Sequence, residues 1–279
     1  DKVFFCNSGA EANEGAMKLA RKYAKEKMEG DRYEIITMER SFHGRTLGAL
    51  TATGQFKYQQ DFHPLVPGFK YVPFNDLKTL EEAVGEKTCA VLLEPIQGEG
   101  GVNVASPEYF RGVRELCSRH NVLLILDEVQ TGLGRTGKMF AYQHYGIGAD
   151  VITLAKGLGG GVPIGAVIAR SGVAEALIPG NHASTFGGNP LACAAGIAVL
   201  ETIKQQDVLK NVNQQSEYFF SRLEGLRSRF PFLREIRGKG LLLGVELDFP
   251  GKEIVEQCRQ RKLLINCTAE KVLRMAPSL

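Results

Sequence analysis

The 279-residue chain carries 34 Lys and Arg against 31 Asp and Glu, a formal charge of +3, with neither a basic block nor interleaved basic and aromatic residues. That balance argues against a nucleic-acid partner and leaves small acidic substrates open. No apolar run approaches membrane-spanning length and no signal-peptide pattern opens the chain, so no membrane contact is expected and a cytoplasmic location is. Six widely separated cysteines (Cys6, Cys89, Cys117, Cys193, Cys258, Cys267) lack C-x-x-C spacing. They predict reduced, buried thiols, with no disulfide framework and no metal site.

In chain order, Val3–Cys6 predicts a strand. Ala10 to about Lys27 predicts a helix with Ala12, Ala16, Leu19, Ala20, Tyr23 and Ala24 along one stripe. Strands follow near Glu34–Met38, Tyr71–Val72, Cys89–Leu93, Val122–Leu126, Val151–Leu154 and Gly165–Ala169. Short apolar runs alternating with amphipathic segments are the pattern of crossover units in a mainly parallel sheet covered on both faces. After Pro190, the stretch Leu191 to about Lys204 predicts a helix leaving the large domain. A helix from Val208 to about Arg229 and a strand Leu241–Leu247 then predict a smaller α+β unit. The fold class is therefore α/β: a three-layer α/β/α large domain, residues 1–206, and a partial C-terminal domain, residues 207–279. Asp1 leads straight into strand-like sequence and Leu279 follows another such run, so both ends are expected to be truncated.

Three polar residues end successive buried strands: Glu94, Asp127 and Lys156. Their separations match βαβ repeats of roughly 30 residues or more. Ligands of open α/β sheets sit at the carboxyl edge of the strands, so the spacing predicts one site holding all three. Lys156 is followed by glycines that leave room for a planar group. A lysine so placed forms a Schiff base, and an anion such as Asp127 keeps a pyridine nitrogen protonated. Together they match the needs of pyridoxal phosphate. Asn7-Ser8-Gly9-Ala10-Glu11 joins the first strand to the first helix. Its free N–H donors suit a phosphate, although Ser8 and Glu11 equally satisfy a capping box. In Ser41-Phe42-His43-Gly44-Arg45-Thr46, the residues alone leave Phe42 as core, His43 as a satisfied turn residue and Arg45 as a surface charge.

Seven segments appear in order: NSGAEANE from Asn7, SFHGRT from Ser41, LLEPIQGEGG from Leu92, ILDEVQTGLGRTG from Ile125, TLAKGLGGG from Thr153, STFGGNP from Ser184 and LRMAP from Leu273. In this register the whole chain resembles the class III, fold-type I pyridoxal-phosphate aminotransferases, and within them the acetylornithine aminotransferases. The resemblance implies that Lys156 holds the cofactor and moves the substrate proton, while Asp127 pairs with the ring nitrogen. Gln130 would bind the ring oxygen, Val129 and Phe42 would cover the two ring faces, and Gly9 and Ala10, with the Ser8 side chain, would bind the phosphate through the helix N-terminus. Thr185 would reach the phosphate of a neighbouring subunit, which implies a homodimer with a shared site.

By the same resemblance, Arg274 binds the α-carboxylate of glutamate or 2-oxoglutarate, and Arg45 the far carboxylate. With acetylornithine, Arg45 would hold the carboxylate while Glu99 engages Arg274. Planar guanidinium groups suit that bidentate task. Glu94 is assigned to positioning, and Arg135 to stabilising its loop. The implied reaction is ping-pong transamination of N2-acetylornithine and 2-oxoglutarate. Ornithine, succinyldiaminopimelate and 4-aminobutyrate are the alternative amine donors. His43 favours the acetylornithine type. A decarboxylase, a racemase and a non-catalytic paralogue are the remaining readings.

Overall fold

A computed structural model describes residues 1–279. Seven strands form the main sheet: β1 (Lys2–Cys6), β2 (Glu34–Met38), β3 (Phe69–Val72), β4 (Thr88–Leu93), β5 (Leu123–Asp127), β6 (Val151–Leu154) and β7 (Gly165–Ala169). Their spatial order is β1-β7-β6-β5-β4-β2-β3. Pairings from β3 across to β6 are parallel, whereas β7 runs antiparallel to both β6 and β1.

Burial on both faces explains the continuous apolar runs. Side chains alternate between faces along a strand. Ile35, Leu92 and Ile125 therefore pack with the alanine-rich stripe of the first helix, α1 (Gly9–Lys27). Their neighbours Ile36, Val91, Leu93, Leu124 and Leu126 pack on the opposite side, against Phe110, Val113 and Leu116 of α2 (Pro107–Arg119). Small residues on α1 let that helix lie close to the sheet, with Ala12, Ala16, Ala20 and Ala24 fully buried. Ser106 caps α2, accepting from Tyr109 N at 3.1 Å, and Pro107 occupies the first helical position, where its missing N–H costs nothing.

The chain leaves the main sheet through α3 (Pro190–Gln205), capped by Asn189, and turns at Asp207 into α4 (Val208–Arg227). A second sheet follows, with β8 (Leu233–Lys239), β9 (Leu242–Leu247), β10 (Asn266–Thr268) and β11 (Val272–Met275) in the antiparallel order β8-β9-β11-β10. Val212 of α4 packs against Leu241 and Leu243 of this sheet. Val208 and Leu209 of the same helix pack against a cluster containing Leu133 and Leu154. Three polar ties join the second sheet and its turns to the loops that follow β4 and β5. Arg237 Nε and Nη2 donate to Gly101 O at 3.0 and 2.8 Å, Arg135 Nη1 donates to Leu241 O at 3.0 Å, and Thr268 Oγ1 donates to Glu99 O.

The expected α/β class and strand positions match these elements to within a few residues. The cysteines depart in part: Cys6, Cys89 and Cys117 are buried, but Cys193, Cys258 and Cys267 are only half-buried, because they lie on or beside elements with one solvent face. No helix is long and apolar enough to cross a membrane.

Candidate active site at the sheet edge

Parallel pairing sets Leu93 beside Leu126 and Asp127 beside Thr153. Glu94, Asp127 and Lys156 therefore leave the sheet at one edge, and all three line a cavity of 460 Å³. Lys156 opens a short helical turn, Lys156–Gly159, with φ of 45°. Non-glycine residues adopt that region at a cost, and such strain concentrates at functional sites.

Asp127 is 3% exposed and fully partnered. Its Oδ2 accepts from Asn13 Nδ2 at 2.7 Å and lies 2.8 Å from His43 Nδ1, while Oδ1 accepts from Val129 N at 3.0 Å. Asn13 in turn donates to His43 O at 2.7 Å and accepts from Thr153 Oγ1 at 2.8 Å. One amide thus fixes the carboxylate, the His43 loop and β6 together. His43 Nε2 is buried with no hydrogen-bond partner. Glu94 is also buried, and desolvation pushes its carboxyl up to about 7, with His43 opposing the rise and Asp127 adding to it.

Phe42, Val129 and Ile164 supply apolar lining to the same cavity. Val129 presses so closely on the start of α1 that a Cβ on Gly9 would lie 2.8 Å from Val129 Cγ1. The N–H groups of the first turn of α1 have no intrahelical acceptor and aim a positive dipole end outward. Gly9 and Ala10, in that turn, line the cavity. The Ser8 hydroxyl already works as the helix cap: it accepts from Glu11 N at 3.2 Å and donates to Glu11 Oε2 at 2.9 Å.

A second cavity of 470 Å³ adjoins the first, and Val129, Gln130 and Lys156 line both. Here Arg274 Nη1 donates to Glu99 Oε1 at 2.6 Å and to Gln130 Oε1 at 3.2 Å. Arg135 also lines this space, and burial lowers the pKa of its guanidinium. Its Nη1 donates to Leu241 O and Pro277 O at 3.0 and 2.5 Å.

Two expected site residues stand apart. Arg45 is exposed and lines neither cavity. Its guanidinium carbon lies 4.8 Å from the Tyr58 ring centroid and 5.9 Å from that of Phe42. Thr185 is exposed in a loop and lines neither cavity of its own chain. The sequence reading missed Asn13 and gave His43 no part in holding Asp127. Asn13 did carry a signal: it is a polar residue set among the small residues that α1 buries, at 1% exposure.

A slot with an apolar lining, an exposed-edge lysine, a buried carboxylate and a helix N-terminus fits a flat, phosphate-bearing pyridine ring. The glycine at position 9 is the fitted feature, since a side chain there would crowd Val129, which lines the slot.

The class-III aminotransferase family model matches residues 1–279. Acetylornithine aminotransferase of Caldanaerobacter subterraneus is 58% identical over 279 residues, covering 100% of this chain and 71% of the relative. Acetylornithine aminotransferase of Methanocaldococcus jannaschii is 53% identical, covering 100% and 70%. Among solved structures, ornithine aminotransferase of Toxoplasma gondii, with partial occupancy of pyridoxal phosphate at its active site, superposes with a TM-score of 0.95 at 40% identity, covering 99% of this chain and 68% of that one. N-acetylornithine aminotransferase of Stenotrophomonas maltophilia superposes with a TM-score of 0.85, also at 40% identity, covering 100% and 69%. With the whole chain matched and the cofactor slot in place, this protein belongs to the class-III aminotransferases, which depend on pyridoxal phosphate.

Proposed function

We propose that the protein transfers the δ-amino group of N2-acetylornithine to 2-oxoglutarate, giving N-acetylglutamate semialdehyde and glutamate, a reaction of arginine biosynthesis. The observation that carries this reading is the junction of two cavities at Lys156, one bearing Asp127 and the other the Glu99–Arg274 pair. The names of the relatives at 58% and 53% identity point to the same amine donor.

When bound, pyridoxal phosphate supplies an electron sink for the charge left at carbon when a proton departs. The chain's own residues do the rest. Lys156 would hold the cofactor's aldehyde through its amine and would carry the proton to and from substrate carbon. Asp127, held in place by hydrogen bonds from Asn13 and the Val129 amide, would pair with the ring nitrogen. Gln130 would bind the ring oxygen, Phe42 and Val129 would cover the ring faces, and Gly9, Ala10 and Ser8 would hold the phosphate. Ser8 serves there through its backbone, because its hydroxyl is engaged with Glu11.

Glu99 neutralises Arg274 while acetylornithine is bound, and the substrate carboxylate is assigned to Arg45, which would turn in from its place over the Tyr58 ring. Turning Glu99 away frees Arg274 for the α-carboxylate of 2-oxoglutarate. A substrate lacking the carboxylate forgoes a charge-assisted hydrogen bond worth about 1.5–3 kcal/mol. We also assign residues 1–206 and 207–279 to two domains, a cytoplasmic location, and a homodimer in which Thr185 completes the partner's phosphate site. Exposed Phe186, Leu191 and Ile197, all close in sequence to Thr185, favour such a pairing.

Half-reactions with acetylornithine, ornithine, succinyldiaminopimelate and 4-aminobutyrate test the donor assignment. Acetylornithine should show the highest kcat/KM. A higher value for ornithine would move the protein to the ornithine type, in line with the T. gondii superposition.

A further inference from the structure

Glu94 has no part in the chemistry above, yet it is 4% exposed at the wall of the cofactor cavity. Its two oxygens divide their work. Oε2 accepts from Phe42 N at 3.0 Å and Oε1 accepts from Gly98 N at 3.3 Å. The first amide belongs to the loop after β2 that presents Phe42, His43 and Arg45. The second belongs to the loop after β4 that presents Glu99. Gly98 also lies directly under Gln130, since a Cβ there would fall 1.7 Å from Gln130 Oε1. The two N–H donors reach the two ends of the side chain separately, so each end must present an acceptor. A carboxylate provides both and a carboxamide provides only one.

We propose that Glu94 is a positioning residue whose carboxylate straps the Phe42 loop to the Glu99 loop, holding the cofactor face and the Glu99–Arg274 pair in one register through both half-reactions. This deepens the aminotransferase reading and rests on it. Burying a carboxylate is costly, and its position between two substrate-facing loops gives that cost a purpose.

The conservative variant Glu94→Gln keeps the volume and removes one acceptor, so one of the two loops must lose its anchor. A hydrogen bond to a charged acceptor corresponds to about 10- to 100-fold in an equilibrium. In the holoenzyme at pH 8, the variant should raise the dissociation constant for pyridoxal phosphate by about tenfold or more, or change the ratio of the two half-reactions' kcat/KM by that factor. Glu94→Gln with both quantities unchanged, whatever its melting temperature, would overturn the proposal. If the variant does not fold, amide hydrogen exchange in the unaltered holoenzyme decides. Phe42 and Gly98 N–H should both be protected, and free exchange of either would sink the strap. Activity of the unaltered protein on the amine panel tests the parent reading separately.

Discussion

Asp127 shows how much of this site lies outside any motif. The carboxylate was legible because it ends a buried strand, but its partners Asn13 and His43 come from 114 and 84 residues away. Only the parallel register brings them together. If Asp127 keeps the ring nitrogen protonated, Asp127→Asn should retain cofactor and slow proton abstraction in single turnover by about 10²- to 10³-fold, the scale of losing one preorganised electrostatic contact; an unchanged rate would remove it from the chemistry. Asn13→Ala should lower stability by about 1–3 kcal/mol, because Asp127, Thr153 Oγ1 and His43 O each lose a buried partner. Denaturant titration reads that loss. Glu128 gives a pH signature. Burial pushes its carboxyl from 4.5 to about 6, so the folded state binds its proton more tightly than the unfolded chain. Stability from this group is therefore greatest below pH 4.5 and falls by about 2 kcal/mol as pH rises through 6. Glu128→Gln should flatten that part of the stability profile.

At the scale of elements, periodicity located the main-sheet strands because both faces are buried and the runs are continuously apolar. It could not show that β7 is antiparallel, since strand direction is set by connections and packing and leaves no mark on a five-residue apolar run. The capping box at Ser8 and Glu11 was legible but only half of it forms: the Ser8 hydroxyl accepts from Glu11 N, while the Glu11 carboxylate accepts from Asn7 N rather than from Ser8 N. Its consequence was less so, because a hydroxyl spent on the helix is no longer free for a ligand. Arg135 was read as a loop stabiliser, and its hydrogen bonds to Leu241 O and Pro277 O extend that role across to the second sheet. Arg135→Ala should cost about 2–3 kcal/mol and raise KM for both substrates, since Arg135 and Arg274 line the same cavity. Loss of stability with unchanged KM would confine Arg135 to a purely structural role.

For the whole molecule, Lys156 lies where the cavity at the main-sheet edge meets the one that the four-stranded sheet helps to line, while Thr185 and Arg45 are exposed and line neither. In the proposed dimer Thr185 would act in the second copy, a role that no intrachain pattern marks. Leu191 is 74% exposed on α3, a large apolar side chain in a position suited to an interface. Leu191→Arg should shift sedimentation towards the monomer and weaken cofactor binding with it. A monomeric variant with undiminished cofactor affinity would contradict the shared site.

Everything in the proposed chemistry passes through one amine. Borohydride reduction of the holoenzyme followed by peptide mass spectrometry should find the cofactor fixed to Lys156, with none retained in Lys156→Ala. Cofactor fixed to another lysine in the unaltered protein would contradict the account.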